Sequence, residues 1–232
     1  MHIFLLIGQS NMAGRGFLRE AIPVDTDRIY TLRGGRWQKM FRPINPDRAF
    51  SGVSLGERFA ECYAKAHGVD VGLVCCADGG TTLEQWQPGG VLYDHAVSQT
   101  RIAMRSGALK GVLWHQGESD CPAGLAETYG ERFLPILHGL RRDLDGERMP
   151  FLVGGLGDFL ADCTLESEDV AAYPTVNAAL RQIAETEPMV GFVSAEGLTA
   201  NPDKLHLNAK SLYEFGERYY AALEALTGVS EA

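Results

Sequence analysis

Residues 1–16 read MHIFLLIGQSNMAGRG, and the change of character at Gly8 organises everything that follows. Ile3–Ile7 is an unbroken apolar run of large and β-branched residues, the length of one strand buried on both faces. It stops abruptly at Gly8-Gln9-Ser10-Asn11-Met12-Ala13-Gly14, where small and polar residues let the backbone turn sharply. Strands buried on both faces belong to parallel sheets, and open α/β sheets hold their ligands beyond the C-terminal strand ends. Ser10 falls at such an edge, with small neighbours that leave its hydroxyl approachable, so it is a candidate nucleophile. The same residues suit a plain strand-to-helix turn in which Ser10 is only a cap. No Lys-Ser or Lys-Thr pair follows the last glycine, so the turn is a poor match to a phosphate loop. What separates these readings is whether a base, an acid and oxyanion donors occur downstream.

The pattern of the first strand recurs along the chain. Val71–Ala77, Gly111–Trp114, Pro150–Leu156 and Val190–Ser194 are further short apolar runs. Helical periodicity occupies Val53–His67, Leu92–Ser106, Thr128–Leu144, Pro174–Thr186 and Ala209–Leu226, with Gly68 as a stop and Pro135 as a kink or a start. Alternating strands and helices predict an α/β fold whose parallel sheet is covered on both faces. Between the first strand and the first long helix, Ile29–Leu32 and Trp37 flank Arg33-Gly34-Gly35-Arg36, a small hairpin signal, and an irregular loop follows at Pro43 and Asn45-Pro46. Gly157–Ala172 reads as an acidic loop. Nothing resembles a linker, so residues 1–232 are expected to form one domain.

Bulk properties exclude some partners. A net charge of −9 disfavours a nucleic-acid backbone or an anionic membrane surface. No apolar run reaches the length that spans a bilayer, and Ser10 occupies the place where a signal peptide has its apolar core. A cytoplasmic location is the expectation from the chain as given. The five cysteines, Cys62, Cys75, Cys76, Cys121 and Cys163, are odd in number and show no metal-ligand spacing. Cys75 and Cys76 are neighbours in one strand and point to opposite faces, so all five are expected to be reduced and structural.

Polar loops follow the strands, and they carry residues suited to acyl transfer. Asp203 and His206 lie three positions apart at the entry to the last helix, where one turn can aim both at the same cleft. A serine nucleophile needs a neutral imidazole to take its proton and a carboxylate to fix that ring's tautomer. Taken alone, Asp203 is equally a helix cap and His206 a surface residue. The Gly79 N–H and the Gln116 side-chain amide, with the Ser10 N–H, are candidates for an oxyanion hole. Glu118 is a second carboxylate able to orient His206, to organise its loop or to bind a substrate hydroxyl. His115, Glu118 and Asp120 have metal-binding side chains but no recognisable ligand spacing, so no metal is expected.

Four blocks in this order, GQSNMAG (Gly8–Gly14), GGTTLEQW (Gly79–Trp86), HQGESD (His115–Asp120) and DKLH (Asp203–His206), resemble the SGNH-type carbohydrate esterases. Within them the chain is similar to the sialate O-acetylesterase / acetyl xylan esterase branch, carbohydrate esterase family 6. The resemblance implies a three-layer α/β/α sandwich with a five-stranded parallel sheet and deacetylation of O-acetylated sugars without metal or cofactor. It implies Ser10 as nucleophile, His206 as base, Ser10, Gly79 and Gln116 as oxyanion donors, and Asp203 as the acid with Glu118 in competition. Arg15 and Trp86 would line the cleft, although Trp86 reads equally as core. A small-molecule or oligosaccharide ester would then be the partner. The alternatives are a thioesterase or lysophospholipase, which needs an apolar acyl cleft, and a sugar-binding domain without catalysis.

Overall fold

A computed structural model of the chain describes residues 1–165 and 169–228. In chain order its main elements are β1 (His2–Gly8), α1 (Ser10–Ala13), β2 (Ile29–Arg33), β3 (Arg36–Lys39), α2 (Leu55–His67), β4 (Val71–Cys75), α3 (Val91–Ala103), β5 (Ala108–His115), α4 (Tyr129–Asp143), β6 (Phe151–Gly154), α5 (Tyr173–Thr186), β7 (Val190–Val193) and α6 (Ala209–Gly228). The alternation of β1 divides the interior in two. Ile3, Leu5 and Ile7 join Tyr93, Phe133 and Leu180 in the core under α3, α4 and α5. Phe4 and Leu6 join Phe59, Phe215 and Tyr219 in the core under α2 and α6. Helices thus cover both faces of the central sheet, as the continuous apolar strands require.

The expected five-stranded sheet is corrected to seven strands, in the order β3-β2-β4-β1-β5-β6-β7. The two additions are the arms of the hairpin around Gly34 and Gly35. Ile29–Thr31 pair in parallel with Val71–Leu73, and β3 closes the edge antiparallel to β2. Ile29 and Thr31 are fully buried while Tyr30 and Leu32 are partly exposed, the alternation of a half-covered strand. So few residues carry that pattern that it shows a hairpin in the sequence but not the sheet the hairpin joins. Gly34 and Gly35 lie at φ 54° and 73°, the left-handed conformation of a tight two-residue turn.

Local signals set the helix ends. Ser54 and Glu57 form a capping box at the start of α2, and Gly68 ends it in the left-handed region. Pro135 lies inside α4, which begins earlier at Tyr129. In the acidic loop Gly157–Ala172, Asp158–Asp162 forms a 3-10 turn, and residues 166–168 lie outside the described residues. Among the described residues no helix is long and apolar enough to cross a membrane.

Burial pushes the Cys76 thiol up to about 12 and raises those of Cys75 and Cys121 as well. These thiols are expected to react with a disulfide reagent at pH 7 only after denaturation, when all five cysteines should titrate without added reductant. A shortfall after denaturation would mean that some are bridged.

Candidate active site

β1 lies between β4 and β5, and the chain fills the β4 side of the sheet before crossing to the β5 side. That reversal opens a crevice at the C-terminal end of β1. Gly8 pairs with His115 so closely that a Cβ at Gly8 would lie 2.1 Å from the His115 carbonyl oxygen, and its φ is 125°. Only glycine suits that position. The Gln9 N–H then donates to the same carbonyl at 2.9 Å. Ser10 begins α1, a single turn ended by Gly14, and its side chain reaches the cleft although the residue is only 6% exposed.

The last loop brings His206 against Ser10. His206 Nε2 lies 3.1 Å from Ser10 Oγ, and His206 Nδ1 lies 2.8 Å from Asp203 Oδ2. The other Asp203 oxygen accepts the backbone N–H groups of Leu205 and His206, each at 3.0 Å. Lys204, at φ 55°, makes the turn tight enough for this. Partial burial pushes the Asp203 carboxyl up, but the bonds from the His206 N–H, its imidazole and the Leu205 N–H outweigh it. The carboxyl is held below the usual carboxylate range. A hydroxyl, an imidazole and a carboxylate in this order can pass a proton from the serine to the ring.

Other residues singled out by sequence take different places. Gln116 is 0% exposed, and its amide donates to the Thr81 carbonyl at 3.0 Å and to Asp120 Oδ2 at 2.5 Å. Both amide hydrogens thus have buried acceptors. The Gly79 N–H donates to Asp47 Oδ2 at 2.9 Å rather than lying open. Trp86 is corrected from cleft to core: it is 1% exposed, packs edge-on to Trp114 and donates Nε1–H to Thr81 Oγ1. Glu118 makes no hydrogen bond to His206; its Oε1 accepts from Asn11 Nδ2 at 2.5 Å. Asp120 accepts from Arg132 Nη1, Gln116 and the Leu83 N–H, and His115 packs edge-on to Phe215. Among the described residues no group of three or more His, Cys, Asp or Glu side chains is gathered to hold a metal ion.

Arg15 borders two cavities beside Ser10 and His206, and its charge is already paired. Its two terminal nitrogens donate to the two oxygens of Asp47 at 3.0 and 2.7 Å, and Ser51 Oγ donates to the same carboxylate. Burial raises the Asp47 carboxyl, yet the Arg15 and Ser51 bonds outweigh it and hold it low. Two adjoining cavities share Arg15, Phe50 and His206. One, of about 220 Å³, surrounds Ser10 with Gln9, Gly79, Gly80 and Ser119. The other, of about 410 Å³, lies beyond His206 and is walled by Phe17, Leu18 and Phe50, the last 70% exposed.

Sequence reading missed Asn11, Asp47 and Phe50. Asn11 carried a signal: an amide directly after Ser10, at a position where a helix would prefer a better former. Asp47 and Phe50 carried none, because the loop around Pro46 has no periodicity.

A sequence model described as carbohydrate esterase, sialic acid-specific acetylesterase matches residues 1–225. The chain is 30% identical over 239 residues to a curated Arabidopsis thaliana protein named as a probable carbohydrate esterase, covering 92% of this chain and 86% of that one. The crystal structure of that Arabidopsis protein superposes with a TM-score of 0.85 at 28% identity, over 97% of this chain and 98% of the other. NanS superposes with a TM-score of 0.75 over 100% of this chain and 98% of the other; at 16% identity this speaks for the fold alone. A lipase/acylhydrolase of Enterococcus faecalis superposes with a TM-score of 0.60 at 12% identity, over 97% of this chain and 95% of the other, again a likeness of fold alone.

Proposed function

The chain belongs to the carbohydrate esterase, sialic acid-specific acetylesterase family and is an acetylesterase, and we propose that it removes O-acetyl groups from sugars through an acetyl-Ser10 intermediate. The observation that carries this reading is the continuous bonded path from Ser10 Oγ through His206 to Asp203. Within the family we place it in the sialate O-acetylesterase / acetyl xylan esterase branch, carbohydrate esterase family 6.

In the first step His206 Nε2 takes the Ser10 proton as Oγ attacks the acetyl carbonyl. The negative oxygen of the tetrahedral intermediate is received by the Ser10 N–H, which at the start of α1 has no helical carbonyl to serve. The Gly79 N–H becomes a second donor by exchanging Asp47 for the oxyanion. Gln116 contributes at one remove, by tying Thr81 and Asp120 together beneath the Gly79 loop. Protonated His206 returns its proton to the departing sugar oxygen. Water, deprotonated by the same ring, then attacks acetyl-Ser10 and releases acetate.

The two cavities support an acetyl ester over a long-chain one. The space about Ser10, of about 220 Å³ and partly filled in by Phe50 and Leu205, has room for an acetyl group rather than a long acyl chain. The larger cavity, with its Phe17 and Phe50 rings, suits the leaving sugar, whose C–H faces pack on aromatics. Among p-nitrophenyl esters, kcat/KM is expected to fall at least about tenfold from acetate to butyrate and further to octanoate. Acetylated sialic acid and acetylated xylo-oligosaccharides are expected to be turned over. Preference for octanoate would move the protein to the long-chain acyl hydrolases, and no turnover of any ester would leave a sugar-binding role.

A further inference from the structure

Asn11 stands beside the nucleophile, yet it is buried and lines neither cavity at the site. Its side chain reaches across the crevice to the loop that carries the base. Oδ1 accepts the Leu207 N–H at 2.9 Å, and Nδ2 donates to the Leu205 carbonyl at 3.2 Å. These are the two residues flanking His206. Nδ2 donates also to Glu118 Oε1 at 2.5 Å, so both amide hydrogens and the carbonyl of Asn11 are engaged.

We propose that Asn11 is the positioning residue that sets the His206–Ser10 distance, and that Glu118 acts on the reaction through Asn11 rather than on the imidazole. The inference rests on the reading of Ser10 and His206 as nucleophile and base.

Ser10 and Asn11 are consecutive in the single turn of α1, so the separation of hydroxyl and amide is set by backbone geometry. The amide grips the base loop on both sides of His206. Any shift of that loop along the crevice breaks a bond to Asn11 before it lengthens the 3.1 Å contact from His206 Nε2 to Ser10 Oγ. Asp203 cannot supply this restraint, because it belongs to the same loop and moves with it; it orients the ring within the loop. Glu118 comes from the segment after β5 and holds the Asn11 amide by a charge-assisted bond. Glu118 is 3% exposed, and among the described residues its Oε2 has no hydrogen-bond partner, so the bond its carboxylate makes toward the site is the one from Asn11. The crevice is thereby closed by three segments meeting at one amide: the turn after β1, the turn after β5 and the loop before α6. A loss of alignment of this kind slows chemistry more than it weakens binding.

The test compares Asn11→Ala, Glu118→Ala and Glu118→Gln with the wild type on p-nitrophenyl acetate, with thermal melts to establish folding. Asn11→Ala and Glu118→Ala are each expected to lower kcat by about ten- to a hundredfold with KM changed less than about threefold. Glu118→Gln keeps an oxygen that accepts from Asn11 Nδ2, and is expected to recover most of the kcat lost in Glu118→Ala. The double alanine variant should be little worse than either single one, as for residues that act as a unit. Near wild-type kcat in folded Asn11→Ala would overturn the proposal, as would Glu118→Gln being as damaging as Glu118→Ala. Should Asn11→Ala fail to fold, the two Glu118 variants decide. Labelling of the wild type by a serine-directed phosphonate keeps the two readings apart: an adduct on Ser10 with an innocuous Asn11→Ala sinks the positioning role alone. An adduct elsewhere sinks the nucleophile assignment.

Discussion

Ser10→Ala is expected to lower kcat on p-nitrophenyl acetate by about five orders of magnitude, down to what His206 and the backbone donors achieve with water alone. The loss is large because in the proposed mechanism this hydroxyl is acylated, and the neighbouring Thr81 hydroxyl bonds to the Asp78 carbonyl instead of an imidazole. The fold should be untouched. Ser10 buries little beyond its Cβ, which alanine retains, and among the described residues its hydroxyl bonds to the His206 side chain only. A ΔΔG within about 1 kcal/mol corresponds to a melting shift of no more than about 4 °C for a chain of this size. Mass spectrometry after treatment with a serine-directed phosphonate should place one adduct on Ser10 in the wild type and none in the variant. Substantial activity in the folded alanine variant, or an adduct on another serine, would remove Ser10 from the mechanism.

Asp203→Asn is expected to lower kcat by about three to four orders of magnitude with little change in KM. The carboxylate oxygen 2.8 Å from His206 Nδ1 requires a proton on Nδ1 and leaves the Nε2 lone pair for Ser10. An amide presenting its NH₂ to that nitrogen would favour the opposite tautomer, with Nε2 protonated and unable to act as base. The asparagine can still accept the Leu205 and His206 N–H bonds through its oxygen, so the turn itself should persist. Because bonds to His206 and Leu205 hold Asp203 below the usual carboxylate range, its protonation is not expected to shape the pH profile above about pH 4. Glu118→Gln should cost far less, since Glu118 meets Asn11 and not the imidazole. If Glu118→Gln proves the more damaging of two folded variants, the orienting acid is Glu118 and Asp203 is a turn-former only.

What the sequence determined by itself was what depends on near neighbours. The apolar run Ile3–Ile7 specifies a doubly buried strand, because strand side chains alternate and both faces must be covered. Ser10 follows at the strand's end, and Asp203 and His206 meet because a bond across three residues needs only one turn. The hairpin turn at Gly34-Gly35 was legible for the same reason, while its place at the edge of the sheet was not. Tertiary structure decided which buried polar group answers which. The Gln116 amide donates to Asp120 and to the Thr81 carbonyl 35 residues away. The Gly79 N–H found Asp47 from a loop 32 residues away, and Trp86 sank into the core with Trp114. Asn11 bonds to partners 107, 194 and 196 residues distant, a meeting that no local pattern encodes. Polar atoms removed from water must find partners wherever the packed backbone leaves them, and that pairing exists only once the sheet and its loops have closed.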